Sequence, residues 1–299
     1  MNILLIGRNG QLGWELKRAL APLGHLTALG RQELDLTDVE AIRQVVRHAG
    51  PTLIVNAAAY TAVDRAQQER ETAFAINAVA PRVLAEEAKR LGAALIHYST
   101  DYVFDGAKNA PYREIDAPRP LNVYGESKLE GERAIEAVAA PHLILRTSWV
   151  YGLRGGNFML TILRLARERD SLRVVDDQIG APTWSRLIAE ASAAIVAQAH
   201  AHGGITEFLA DKGGLYHLAA GGQTSWCGFA QAIVSHAPLL SRRPPVAPIP
   251  SREYPLPAPR PAYSVLDSSR AARVFAVRLP EWQASLLDCL ADMAFLRAS

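Results

Sequence analysis

A tyrosine and a lysine four residues apart, Tyr124 and Lys128, share one face of the helical stretch opened by Tyr-Gly-Glu-Ser-Lys. An ammonium near a phenol favours the phenolate and lowers the phenol's pKa from about 10 toward working pH, which makes tyrosine a usable general acid or base. A second cluster, His97-Tyr98-Ser99-Thr100-Asp101-Tyr102, follows the apolar pair Leu95 and Ile96. A hydroxyl at the carboxyl end of such a strand can hydrogen-bond a substrate carbonyl oxygen while Tyr124 delivers a proton to it. The outcome is a Ser/Thr–Tyr–Lys constellation for interconverting a carbonyl and an alcohol. Gly7, Gly10 and Gly13 supply the other half. They follow an apolar run and lead into a helical pattern with Leu12, Leu16 and Leu20 on one side. Such a turn lets backbone approach a pyrophosphate and aims helix N–H groups at the anion, so the expected co-reactant is a nicotinamide dinucleotide.

These residues need a scaffold that brings strand ends together. The first half alternates short apolar runs (3–6, 26–29, 53–56, 94–99, 143–147) with helical patterns from Gln11, from Asp38, across 74–91 and from Tyr124. That alternation predicts an α/β fold, a Rossmann-type doubly wound parallel sheet with its ligand at the carboxyl ends of the strands. Thr37 reads as the N-cap of the second helix, and Pro22 and Gly24 close the first. Beyond Tyr151 the alternation weakens. A helix at 187–201 and a β-like run at 215–219 are placed to return to the main sheet. Residues 242–261 hold much of the proline, and their aromatic content favours an ordered, extended wrap over a disordered linker. The expected division is a dinucleotide-binding domain of residues 1–148 plus about 186–220, and a smaller α/β substrate domain of about 149–185 and 221–299.

With 299 residues, 49% of them hydrophobic, the chain can bury a large core. A net charge of +2 with interspersed acids and bases marks no nucleic-acid or membrane surface. Cys227 and Cys289 form neither a disulfide framework nor a metal-ligand pattern and read as buried thiols. The opening apolar run is too short for a signal segment or a membrane span, so a cytoplasmic location is expected. After the second strand comes Gly30-Arg31, with no acid placed to take a ribose 2′-hydroxyl. Arg31 could meet a 2′-phosphate, so NADPH should be accepted at least as well as NADH.

The whole chain resembles extended short-chain dehydrogenases/reductases, and among them the dTDP-4-dehydrorhamnose reductase family. The resemblance rests on Gly-Arg-Asn-Gly-Gln-Leu-Gly (7–13), Asp-Leu-Thr-Asp (35–38), Val-Asn-Ala-Ala-Ala-Tyr-Thr-Ala-Val-Asp (55–64), Tyr-Ser-Thr-Asp-Tyr-Val-Phe-Asp-Gly (98–106) and Tyr-Gly-Glu-Ser-Lys (124–128). Arg-Thr-Ser-Trp-Val-Tyr-Gly (146–152), Asp-Gln-Ile-Gly-Ala-Pro-Thr (177–183), Thr-Ser-Trp (224–226) and Pro-Ala-Pro-Arg-Pro (257–261) extend it into the second half.

The resemblance implies reduction of the C4 ketone of dTDP-4-dehydro-6-deoxy-L-mannose to dTDP-L-rhamnose. Tyr124 would be the proton donor, Lys128 its neighbour and a nicotinamide-ribose contact, and Thr100 the hydroxyl that tunes the donor. Gly10, Gln11 and Leu12 would line the pyrophosphate, Asp35 and Leu36 the adenine, and Ala59, Tyr60 and Thr61 the far side of the cofactor. Thr100, Asp101 and Trp149 would meet the dTDP-sugar, with Arg260 at its diphosphate. Some relatives bind magnesium at a dimer interface; here Glu190, Asp288 and Asp292 match only in charge, and no metal is expected to be required. The chain could be a monomer or a homodimer. Rival readings are a reductase or epimerase of another 4-keto nucleotide sugar, and a non-catalytic regulatory subunit of the methionine adenosyltransferase type.

Overall fold

The computed structural model describes residues 1–238 and 240–298, with the side chains of 296–298 left aside. Alternation in the first half becomes β1 (Asn2–Ile6), α1 (Gln11–Leu20), β2 (His25–Leu29), α2 (Val39–Ala49), β3 (Leu53–Asn56), α3 (Val63–Ala66), α4 (Arg70–Phe74), α5 (Ala80–Leu91), β4 (Ala94–Thr100), α6 (Val123–Val138) and β5 (His142–Thr147). In the second half follow β6 (Val150–Tyr151), α7 (Phe158–Glu168), β7 (Leu172–Val175), β8 (Ile179–Gly180), β9 (Thr183–Trp184), α8 (Ser185–Gln198), α9 (Ile205–Lys212), β10 (Gly214–His217), β11 (Thr224–Ser225), α10 (Trp226–His236), β12 (Val246–Ile249), α11 (Ser269–Phe275) and α12 (Trp282–Ala298).

Six strands form one sheet in the order β10-β5-β4-β3-β1-β2, every pair parallel. Strands such as β3 and β4 are buried along their whole length, as a sheet covered on both faces requires. Leu12, Leu16 and Leu20 of α1 pack with α8 on one face, while α2 and α5 cover the other. The chain crosses from one side of the sheet to the other between β1 and β3. This switch point opens a crevice at the carboxyl ends of the strands.

The expected return of 215–219 to the main sheet is met by β10, paired with β5. The proline-rich segment is ordered: β12 lies parallel to β7, and Arg260 holds Asp64 in a two-pronged ion pair at 2.6 and 2.7 Å. Two sequence expectations need correction and one between them a refinement. The α2 N-cap is Asp38, whose side chain accepts from Ala41 N, while the Thr37 hydroxyl turns back to Asp35. The helix expected across 74–91 is present and runs on from Arg70, with a π-turn inside it at Ala75–Val79, where the Asn77 carbonyl fills the space that a Gly131 side chain would need. Finally, α11, grouped by sequence with the substrate domain, buries Ala271 and Phe275 in the core of the six-stranded sheet. A second core joins α7, β7, α10 and α12 through Met159, Leu172, Phe229 and Leu290.

Candidate active site

Gly7 ends β1 in the left-handed region, at φ 93°, and an added Cβ would lie 2.7 Å from Ala58 N. At Gly13 a Cβ would lie 2.0 Å from Gly7 O, so this glycine sets how closely α1 approaches the strand and does not itself line the crevice. Gly10 caps α1 without any side-chain hydrogen bond, which leaves the first N–H groups of the helix facing the crevice. The crevice is a cavity of about 580 Å³.

Gly7, Gly10, Gln11 and Leu12 form its floor, Arg31, Asp35 and Leu36 one end, and Ala59, Tyr60 and Thr61 a side. Tyr124 and Lys128 border it together with Ser99 and Thr147, whose hydroxyls are buried with no hydrogen-bond partner among the described residues. Arg31 and Lys128 are the only cations among its lining residues. Glu33, an acid just past β2, accepts from Gly30 N at 2.8 Å and pairs with Arg8, so its charge is already met. A bare helix N-terminus, two orphan hydroxyls and a cation at the far end fit a dinucleotide with its nicotinamide ribose near Ser99, Thr147 and Lys128.

The proton-transfer groups meet at one corner of this cavity. Asn122 caps α6, its side chain accepting from Gly125 N at 2.9 Å, and so starts the helix at the residue before Tyr124. Thr100 ends β4. Its hydroxyl accepts from Tyr102 N at 3.1 Å, donates to Asp101 Oδ1 at 3.2 Å and also reaches the Tyr124 phenol. Burial pushes that phenol up to about 12, the Thr100 hydrogen bond opposes the rise and the Asp101 charge adds to it. Tyr124 is therefore a protonated acid at neutral pH.

Lys128 borders the same cavity as Tyr124, but its nitrogen is bonded on the β4 side, at 2.7 Å from Tyr98 O and 3.1 Å from His97 Nε2. Desolvation pulls it down to about 8, opposed by the Glu132 carboxylate. The expected lowering of the tyrosine pKa by lysine is corrected on this geometry: burial outweighs charge at Tyr124, and the lysine is bonded elsewhere. His97 was the residue missed. An imidazole inside a strand of buried residues, 31 positions before the lysine, gives no spacing signal.

The residues expected to meet the sugar nucleotide lie outside the dinucleotide cavity. Asp101 is buried, with Oδ2 unpartnered among the described residues, and desolvation raises its carboxyl to about 7 against the Ser264 and Thr100 hydroxyls. Trp149 adopts φ 45° and stacks on Trp226 with ring centres 3.5 Å apart, its indole edge against Gly180. Arg260 is engaged by Asp64 and by the Ala258 carbonyl, which corrects the expectation of a guanidinium free for a diphosphate. Of the carboxylates weighed for a metal, Asp292 is paired with Arg186, and among the described residues no group of three or more His, Cys, Asp or Glu could hold an ion. No described helix is long and apolar enough to cross a membrane.

The family model described as RmlD substrate binding domain matches residues 1–295. The chain belongs to the dTDP-4-dehydrorhamnose reductase family. It is 46% identical over 300 residues to the dTDP-4-dehydrorhamnose reductase of Burkholderia thailandensis, covering 98% of this chain and 99% of that one. It is 45% identical to the enzyme of the same name from Escherichia coli K12, with 98% of each chain covered. Among solved structures, the dTDP-4-dehydrorhamnose reductase of Clostridium acetobutylicum superposes with a TM-score of 0.90 at 34% identity, covering 98% of this chain and all of that one. The Bacillus anthracis enzyme, solved in complex with NADP, gives 0.86 at 35% identity, with 97% and 98% covered. Members of this family thus align through both cores, including the second-half stretches that a generic nucleotide-binding domain does not need.

Proposed function

We propose that this chain reduces the C4 ketone of dTDP-4-dehydro-6-deoxy-L-mannose to dTDP-L-rhamnose, using NADPH and accepting NADH. The observation that carries the reading is that a protonated Tyr124 and Lys128 together border a cavity built for a dinucleotide. The nicotinamide cofactor supplies the hydride when it is bound. The protein's own groups do the rest.

The glycine turn and the α1 N-terminus hold the pyrophosphate, and Arg31 faces the adenosine end, where it favours a 2′-phosphate. Ser99, Thr147 and Lys128 hold the nicotinamide ribose. Tyr124 donates its proton to the C4 oxygen as negative charge develops there, and the Thr100 hydroxyl stabilises the phenolate left behind by turning its one proton from Asp101 Oδ1 to the phenolate oxygen. Asp101 and the Trp149–Trp226 pair receive the sugar nucleotide, an apolar ring face packing on an indole. Arg260 acts through Asp64, tying the proline-rich segment across the mouth of the site. This is work for a cytoplasmic enzyme on a small diffusible substrate, with neither a nucleic acid nor a membrane as partner. A retired site of the regulatory-subunit kind would have no need to keep hydroxyl, phenol and lysine together.

The test is oxidation of NADPH by the purified protein with dTDP-4-dehydro-6-deoxy-L-mannose generated in situ by the upstream epimerase. Cofactor consumption with dTDP-L-rhamnose as product is expected. Binding of cofactor without consumption would move the assignment to another 4-keto sugar.

A further inference from the structure

The floor under Lys128 is a directional chain of hydrogen bonds whose polarity can be worked out from one fixed donor. Ala58 N–H can only donate, and it reaches Asn56 Oδ1 at 3.2 Å. The Asn56 amide nitrogen therefore faces His97 Nδ1, at 3.2 Å. An amide nitrogen can only donate, so Nδ1 is the acceptor and the imidazole proton is on Nε2. Nε2 lies 3.1 Å from Lys128 Nζ. A proton there points at the lysine nitrogen, which can accept it only as a neutral amine. Lys128 Nζ in turn donates to Tyr98 O at 2.7 Å. Asn56 and His97 are almost completely buried and neither lines the crevice that Lys128 borders, so no bulk water can correct a mismatch at the imidazole.

We propose that Asn56 and His97 are positioning residues that set the proton affinity of Lys128, through an imidazole tautomer that favours the neutral amine. When Lys128 takes up a proton, Nε2 must become an acceptor, the imidazole proton must move to Nδ1, and the Asn56 amide loses its acceptor. The protein charges Lys128 only by breaking or reversing a buried hydrogen bond.

The groups facing the lysine agree with this reading. Tyr124 and Glu132 are on its own helix, and Glu132 is neutralised by buried Arg146 of β5 at 2.6 Å. His97 and Tyr98 come from β4, and Asp101 follows that strand. His97 is held well below the ordinary imidazole range by burial and by Lys128, so it remains neutral and responds by switching tautomer. The consequence for function rests on the reductase reading. A lysine that sheds its proton near pH 8 makes its contact with the cofactor ribose pH-dependent in the range where an enzyme works.

The test does not depend on turnover. The chain has five lysines, so 13Cε and 15Nζ labelling resolves the buried one in the full-length protein. The expected result is a Lys128 titration near pH 8, with His97 15N shifts reporting the Nε2–H tautomer above it and Nδ1–H below it. Asn56→Asp accepts from Nδ1–H, and His97→Gln can turn a carbonyl oxygen toward the ammonium. Each should move the Lys128 midpoint upward by about one unit, a tenfold change in proton affinity. If His97 has the Nδ1–H tautomer at every pH, or if both variants leave the Lys128 midpoint in place, the proposal is overturned even if the enzyme is a reductase. The basic limb of the kcat/KM profile should follow the same shift. Failure of that limb alone to move, with the NMR midpoints shifted, would refute the link to turnover.

Discussion

Replacing Tyr124 by phenylalanine removes one oxygen from the corner where the proposed proton transfer occurs. The structure lets the effect on stability be separated from the effect on rate. The Thr100 hydroxyl that touches the phenol also has Asp101 Oδ1 and Tyr102 N as partners, so the deletion orphans no buried group. The ring itself packs edge-on to Tyr102, centres 5.9 Å apart and planes at 76°, and phenylalanine keeps that contact. Folding stability should change by no more than about 1 kcal/mol, the worth of an ordinary hydrogen bond. Loss of a positioned proton donor lowers the rate by about 10²–10⁴, equivalent to about 2.7–5.5 kcal/mol in the barrier. The assay follows NADPH absorbance under saturating substrate, with cofactor affinity from fluorescence titration and the melting temperature as control. A variant that turns over within about threefold of the parent, with unchanged affinity and stability, would refute Tyr124 as the donor.

Three other perturbations test separate parts of the argument. Arg31→Ala should raise the Kd for NADPH while sparing NADH, since Arg31 is the cation at the adenosine end of the cavity; an unchanged ratio in direct titration would remove it from cofactor choice. Asp101 has a folded-state pKa raised to about 7, so burying its charge costs stability progressively from about pH 4 to pH 7. Asp101→Asn should therefore stabilise the free protein by about 1–3 kcal/mol at pH 8 and much less at pH 5, and melts showing the same gain at both pH values would contradict this. Glu87, buried among Arg43, Arg47 and Arg90, is lowered to about 2, so its stabilisation is complete above about pH 4.5 and lost as pH falls toward 2. Because the arginines are partly exposed, Glu87→Gln should cost about 2 kcal/mol at pH 7, with the gap to the parent closing in acid; a gap constant from pH 7 to pH 3 would show the cluster to be electrostatically idle.

The dinucleotide seat was legible in the sequence because its signals are local. Gly7 is dictated by its left-handed backbone and Gly13 by its contact with Gly7 O within one turn, and the helix they open declares itself through Leu12, Leu16 and Leu20. The Tyr124–Lys128 pair, too, follows from helical periodicity, as does the hydroxyl at the end of a buried strand. Period and spacing carried the parallel sheet and the return of β10 to it.

What only the tertiary structure decided are quantities that depend on neighbours distant in sequence. Whether Tyr124 is a phenol or a phenolate depends on how deeply β4 and α6 bury it, and here desolvation outweighs the lysine four residues away. Arg260 looked free for a diphosphate until folding brought Asp64 to it across 196 positions. Lys128 meets His97 rather than the phenol because β4 passes directly beneath α6, and the tautomer of that imidazole is fixed from β3 through Asn56. A sequence specifies which groups can ionise. The dielectric, the partner and the direction of each hydrogen bond, which determine whether they do, exist only once the sheet has assembled.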